Sequence, residues 1–243
     1  MKTKIYKLLL SAGLILALMS CENKNTRIIP SDNISSQYAD IKGYSGLEVD
    51  ATFQVEVNFT DSEQPIEIIA NENLHPYVII EKVSDVLKVR LRDNVDISGP
   101  ATLRVILKTG IISSYSASGA SEILLMDILA TDMVQISLYG ASKMSGSLSV
   151  QSLTANLYDA SSLDLNGTTV NYKLNGSGSS KASDYTLGCD YLDATLSDAS
   201  EARLFVHKEI EITGSGASTL YYEGEAVITS QSLSGASSVV KVD

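Results

Sequence analysis

No tryptophan occurs anywhere in this sequence, and it has only two histidines and two cysteines. Each shortage removes a class of function. His75 and His207 stand far apart, and neither has a Cys or a second His at ligand spacing. That argues against a metal site and leaves both histidines structural or surface roles. Basic residues are also scarce, 18 against 29 acidic ones, so bulk charge does not recruit nucleic acid or anionic lipid. The missing tryptophan weakens the case for a sugar-stacking cleft.

The first twenty residues carry Lys2, Lys4 and Lys7, then an apolar run from Leu8 to Met19, then Ser20 and Cys21. This is an export leader (residues 1–20), too short to span a bilayer and excluded from the fold. Leu18-Met19-Ser20-Cys21 resembles the lipobox of bacterial lipoproteins, with Met19 larger than the residue usual at its place. In that pattern Cys21 is acylated and becomes the new N-terminus, attaching the protein to a membrane through acyl chains alone. An ordinary cleaved leader with a cysteine nearby is the alternative. Removing the leader's three lysines moves the formal charge from −11 to −14 and leaves 223 residues, ample for one or two domains. With Cys21 acylated, Cys189 is left alone and no internal disulfide forms, so the core must hold the fold.

Residues 21–43 show little periodicity, with Pro30 and several Ser, Asn and Asp, and read as a flexible tether. Beyond it, Leu47, Val49, Ala51, Phe53, Val55, Val57 and Phe59 alternate with polar residues, the pattern of one strand with a buried face. Similar runs follow at Ile66–Ala70, Leu87–Leu91 and Leu103–Leu107, so residues 44–110 form an antiparallel or mixed set of strands.

Residues 111–243 repeat. A triplet of Gly or Asp, then Ala or Ser, then Ser recurs seven times, centred on Ala120, Ala141, Ala160, Ser179, Ala199, Ala217 and Ala236. The centres lie 21, 19, 19, 20, 18 and 19 residues apart, a solenoid signature. Gly and Asp tolerate a left-handed backbone or bond their own turn, so each triplet is a corner. The small second residue suits a narrow place at that corner. Three residues after each centre stand Ile123, Met144, Leu163, Ala182, Ala202, Leu220 and Val239; three before stand Ala117, Leu138, Leu157, Gly176, Leu196, Gly214 and Leu233. None is charged. Where the place is Gly, Leu174 or Ile212 two residues earlier supplies the filling. These columns predict an all-β chain, a parallel β-helix of about seven coils of ~19 residues, with the strands of 44–110 capping its N-terminal end. At ~3.3 Å per residue a coil has a perimeter of roughly 60 Å, and seven coils stack into a rod of roughly 35 Å. A propeller is the runner-up, but the chain is too short for enough blades. The last residues, Val239 to Asp243, leave an exposed strand edge.

Candidate chemistry is sparse. The serines that close the triplets have no matching histidines, and seven equivalent nucleophiles make no mechanistic sense; hydroxyls bonding one another and the corner backbone explain them. Asp159, Asp164, Asp184, Asp193, Asp198 and Glu201 invite comparison with carboxylate-bearing β-helices that bind calcium or do acid-base work. Asp159 and Asp198 hold the same place two coils apart, roughly 10 Å, too far to share a metal ion directly. Lys143 and Lys181 are not spaced as proton abstractors. Cys189 stands where the comparable coil has Val150, a buried hydrophobe rather than a reactive thiol. Tyr139 and Tyr158 hold the same place in adjacent coils and make a candidate binding surface, with Tyr221 and Tyr222 adding to the aromatic total.

Cys21, the alternating run Leu47 to Phe59, the stretch Val83 to Asn94 (VSDVLKVRLRDN) and the serial Gly-Ala-Ser corners resemble the putative auto-transporter adhesin, head GIN domain family, common among Bacteroidetes lipoproteins. The likeness covers about residues 44–243. It implies a right-handed β-helix shaped like pectin lyases and acyltransferases, no catalytic residues, no cofactor, and a role in adhesion. The reading that follows is a non-enzymatic lipoprotein of the cell envelope, anchored on the outer membrane, that binds a glycan or protein ligand of a host, matrix or neighbouring cell. Two rivals stay open: a lyase-like enzyme acting on acidic polysaccharide, and a purely structural envelope protein.

Overall fold

The computed structural model describes residues 25–182 and 185–243. The leader, Cys21 and Asp184 lie outside the described residues. The repeat region is a parallel β-helix of about seven turns. Each coil has three walls: a front wall that runs into the triplet corner, a side wall that leaves it, and a back wall that leads to the next coil. On the front wall Ala117, Leu138, Leu157, Gly176, Leu196, Gly214 and Leu233 pair in one unbroken register. On the side wall Ile123, Met144, Leu163, Ala182, Ala202, Leu220 and Val239 do the same. Both columns point inward, and all of them except Leu233 and Val239 in the last coil are buried.

The corners explain the triplet. Its first residue has a left-handed backbone in every copy, with φ of 70° at Gly119, 60° at Asp159 and 60° at Asp198. The N–H of the second residue donates to the carbonyl of the first residue one coil below, as from Ala141 to Gly119 at 2.7 Å and from Ala199 to Gly178 at 2.8 Å. The second residue is exposed in every copy, so burial does not dictate its small size. The serine is the member that turns inward, and it is buried in all copies but the last. In five of the seven copies its hydroxyl bonds backbone, and in none another triplet serine: Ser121 Oγ donates to Ser118 O at 2.7 Å and Ser200 Oγ to Ser197 O at 2.8 Å, while the hydroxyls of Ser161 and Ser180 have no partner among the described residues. Coils ~4.8 Å apart place successive hydroxyls beyond the ~2.8 Å reach of an O–H···O bond.

The two glycines of the front-wall column are filled from two directions. A Cβ on Gly176 would lie 2.9 Å from Leu196 Cδ2, and one on Gly214 2.7 Å from Leu233 Cδ2, so the next coil's leucine leans into each gap. Two residues earlier the same coils carry the large Leu174 and Ile212, where neighbouring coils have Ala155 and Ala194. Large and small thus trade places within a coil, keeping the interior at constant volume and close-packed.

Two sequence expectations change, and one, the mixed set of strands, is refined. First, the alternating run from Leu47 to Phe59 is two strands, Gly46–Val49 and Gln54–Phe59, broken by a corner at Ala51, φ 71°. The bend spans an even number of residues, so the period-two pattern passes through it unmarked. Ala120 N–H donates to Ala51 O at 2.7 Å, so Ala51 occupies the place of a triplet glycine and adds a corner below the seven. Second, the strands Val86–Leu91 and Leu103–Thr109 extend the same parallel walls downward before antiparallel pairing with Val78–Val83 and Ile66–Asn71 turns the sheet into a cap. Third, the expected tether of 21–43 contains two strands: Thr26–Ile28 pairs with Val95–Ile97, and Ile34–Ala39 lies antiparallel to Ile66–Asn71. Ile34–Ala39 buries little of itself, so no apolar period announces it.

Candidate functional site

The front wall presents outward columns two residues apart. Nearest the corner, the column reads Ser118, Tyr139, Tyr158, Ser177, Ser197, Ser215 and Ser234. The backbone N–H groups of Tyr139 and Tyr158 donate to Ala117 O and Leu138 O at 2.9 and 3.0 Å, which fixes both residues at the strand spacing. Their rings therefore stack, with centroids 5.0 Å apart and planes within 7°. They are 42% and 37% exposed, an aromatic pair standing on the wall. Two residues earlier runs a neutral column, Ser137, Asn156, Asn175 and Thr195, in which Asn175 Nδ2 donates to Asn156 Oδ1 at 2.9 Å. Tyr221 lies on the side wall with the Arg203 guanidinium 4.9 Å above its ring, while Tyr222 points into the core.

Higher on the same front wall lies a shallow depression of about 320 Å³ lined by Asn171, Lys173, Tyr191, Asp193, Glu209 and Glu211. Lys173 pairs with Asp193 at 3.3 Å, and the Lys208 ammonium, held by Asp190 at 2.8 Å, sits 5.3 Å from the centre of the Tyr191 ring. Tyr191 escapes sequence reading because its place in other coils holds Met133, Ser152, Asn171, Glu209 and Val227, with no aromatic to repeat.

The acidic and nucleophilic candidates have structural occupations. Gly140 N–H donates to Asp159 Oδ2 and Gly178 N–H to Asp198 Oδ2, each at 3.1 Å, so each carboxylate caps the corner one coil below. Glu201 pairs with Arg203 at 2.7 Å. Asp164, Lys143 and Lys181 are exposed on the side wall. His75 is buried in the cap with Nε2 3.0 Å from Ser35 Oγ, and His207 is exposed with its ring 4.9 Å from that of Phe205. Among the described residues no group of three His, Cys, Asp or Glu is placed to hold a metal ion. Cys189 is 1% exposed in the column Val150, Thr169, Cys189, Val206, and burial, with Asp190 nearby, pushes its thiol up to about 12. It is a core hydrophobe, inert as a nucleophile.

The model of the family described as putative auto-transporter adhesin, head GIN domain, matches residues 43–226. The chain belongs to that family. Solved structures agree on the architecture of this head GIN domain. A putative adhesin from Bacteroides fragilis, 15% identical, superimposes with a TM-score of 0.80 over 88% of this chain and 100% of its own. A putative lipid binding protein from Parabacteroides distasonis, 14% identical, gives 0.69 over 90% and 100%. A putative adhesin from Parabacteroides distasonis, 17% identical, gives 0.68 over 89% and 100%. At such identities the likeness carries the fold alone. No curated protein matches the sequence. Membership places the chain in an adhesin-type family.

Proposed function

We propose that this head GIN domain is a non-catalytic, lipid-anchored protein of the outer membrane that binds a glycan or protein ligand of a host, matrix or neighbouring cell through its front wall. The observation that carries this reading is the half-exposed Tyr139–Tyr158 stack beside a column of hydroxyls and amides. Flat aromatic faces and neutral hydrogen-bonding groups suit sugar rings and extended peptides. The corner carboxylates of Asp159 and Asp198 are committed to backbone N–H groups, which supports binding over acid-base chemistry. Arrays of glycans and matrix proteins probed with the purified protein test it. A ligand found there loses about tenfold or more in affinity when Tyr139 and Tyr158 are both changed to Ala, since aromatic contacts contribute on the order of 1 kcal/mol each. The melting temperature stays nearly unchanged, because both rings stand outside the core. Equal binding by the double variant refutes the front-wall reading, and cleavage of polygalacturonate by the purified protein refutes the non-catalytic one.

The anchor has its own test. Palmitate fed to expressing cells labels the protein, and Cys21→Ala abolishes the label and releases the chain from the membrane fraction. The buried Cys189 offers no second acceptor. Label retained by Cys21→Ala removes the lipoprotein reading.

A further inference from the structure

The back wall is one strand short at its N-terminal end. Residues 128–131 pair with 147–150, and the wall continues upward through 166–169 and 187–189. Downward the ladder stops. On the cap side of the coil 122–138, the strand Gln54–Phe59 reaches only residues 122–125 and Ser114–Ala117 only 135–138, so among the described residues 126–134 are in register with no strand below. The cause is topological: the chain leaves the helix after Phe59 to build the cap and returns at Ser114, so the coil of Gly46–Phe59 lacks its back-wall strand.

Three features gather at this open edge. The first interval between triplets is 21 residues, and the register breaks between Leu124 and Ile128, so Met126 and Asp127 bulge out of the ladder. Asp127 Oδ2 accepts the Phe59 N–H at 3.0 Å, closing off the last donor of the strand below. Apolar side chains then stand in water: Met126, Ile128 and Met133 are 54%, 64% and 66% exposed. In the next two coils the place of Ile128 is held by Ser147 and Asn166, and that of Met133 by Ser152 and Asn171. At these places the apolar residues stand in the coil at the open edge and give way to Ser and Asn in the two coils above it. From Phe59 a depression of about 860 Å³ opens, lined also by Lys42, Asp61, Glu63, Gly110 and Ile111. Asp61 and Asp132 flank this region exposed, adding to the charge of Asp127.

We propose that residues 126–134 accept an extended peptide segment of another protein, which adds as the missing back-wall strand. Its main chain takes up the unpaired N–H and C=O groups, its apolar residues cover Met126, Ile128 and Met133, and its basic residues face Asp61 and Asp132. The acidic edge also decides against a second copy. Two such edges side by side set like charges opposite one another, which destabilises a strand pair. The site runs along the back wall and reaches the front wall only at Met133, the end away from the corner where the tyrosine pair stands, so either can fail without the other.

The test uses tethered hexapeptides with Val, Ile or Tyr at alternate positions and Lys, Ser or Glu between them, probed with the purified full chain. The expected result is capture by Lys-containing hexapeptides at least tenfold above their Glu counterparts. N-methylation of alternate amides in the peptide abolishes it. Ile128→Lys or Met133→Lys weakens capture at least tenfold with an unchanged melting curve, and Tyr139→Ala leaves it intact. The proposal is overturned by no capture, by capture that survives N-methylation, by indifference to both lysine variants, or by a mass that doubles with concentration in light scattering and reverts in Ile128→Lys.

Discussion

Gly167→Ala lowers the melting temperature by roughly 10 °C, and Gly99→Ala by only a few degrees. The two glycines share the same backbone, φ +112°, a region that L side chains rarely enter. Their surroundings differ. A Cβ on Gly99 meets nothing within 4 Å, so the variant suffers backbone strain alone, about 1 to 2 kcal/mol. A Cβ on Gly167 would lie 2.0 Å from the carbonyl oxygen of Leu148, its partner one coil below. No rotamer relieves that contact, because the oxygen belongs to the backbone of the stack. The coils must separate at the bend between side and back walls, and ladder bonds on both sides lengthen. The combined cost is about 3 to 5 kcal/mol, in the range reserved for named structural failures. For a domain of this size each kcal/mol moves the midpoint by ~2 to 4 °C, and differential scanning calorimetry on the two variants separates clash from strain. Equal shifts would show that coil-to-coil contact at Gly167 contributes nothing.

That glycine also marks where the sequence stops being readable. The triplet corner is legible because one backbone problem is solved by the same letters in every coil. The second bend is solved by Gly167 and Gly224, each seven residues after its triplet centre, and by Gly146, five after its own, so no glycine column forms across the seven coils. A Cβ on any of them would strike Leu125, Leu148 or Val206 of the coil below, yet nothing in the spacing announces it. Ala51 is hidden for the opposite reason: it performs the corner's left-handed turn without the corner's letters. The cap is legible as strands but not as parallel continuation of the helix, since alternation reports which face is buried and not which strand lies alongside. At the candidate site, the stacking of Tyr139 on Tyr158 follows from equal position in adjacent coils, which periodicity gives directly. The open back-wall edge does not, because it is produced by an absent strand.

Leu157→Asp unfolds the repeat region near neutral pH. Leu157 is 1% exposed and stands in the front-wall column between Leu138 and Gly176. The interior around it is aliphatic, relieved only by the serine column, and the hydroxyls of Ser161 and Ser180 have no partner of their own. One or two weak donors do not replace the hydration of a carboxylate, so the substitution costs roughly 5 kcal/mol or more, comparable with the whole stability of an ordinary domain. Because each coil rests only on its neighbours, the break also separates the coils above from the cap below. The penalty carries a pH signature. Burial raises the folded pKa of the new carboxyl above its unfolded value near 3.9. Below that value both states are protonated and the charge penalty vanishes; as pH rises above it, the unfolded chain ionises first and the penalty grows. Leu157→Asn keeps the shape and hydrogen-bonding character without the charge, so its deficit relative to wild type stays flat between pH 4 and 7 while that of Leu157→Asp widens. Circular dichroism melts of the two variants across that interval read the difference. Parallel curves would mean that the column at residue 157 is open to water, and a β-helix whose front-wall column is wet cannot be the fold of this chain.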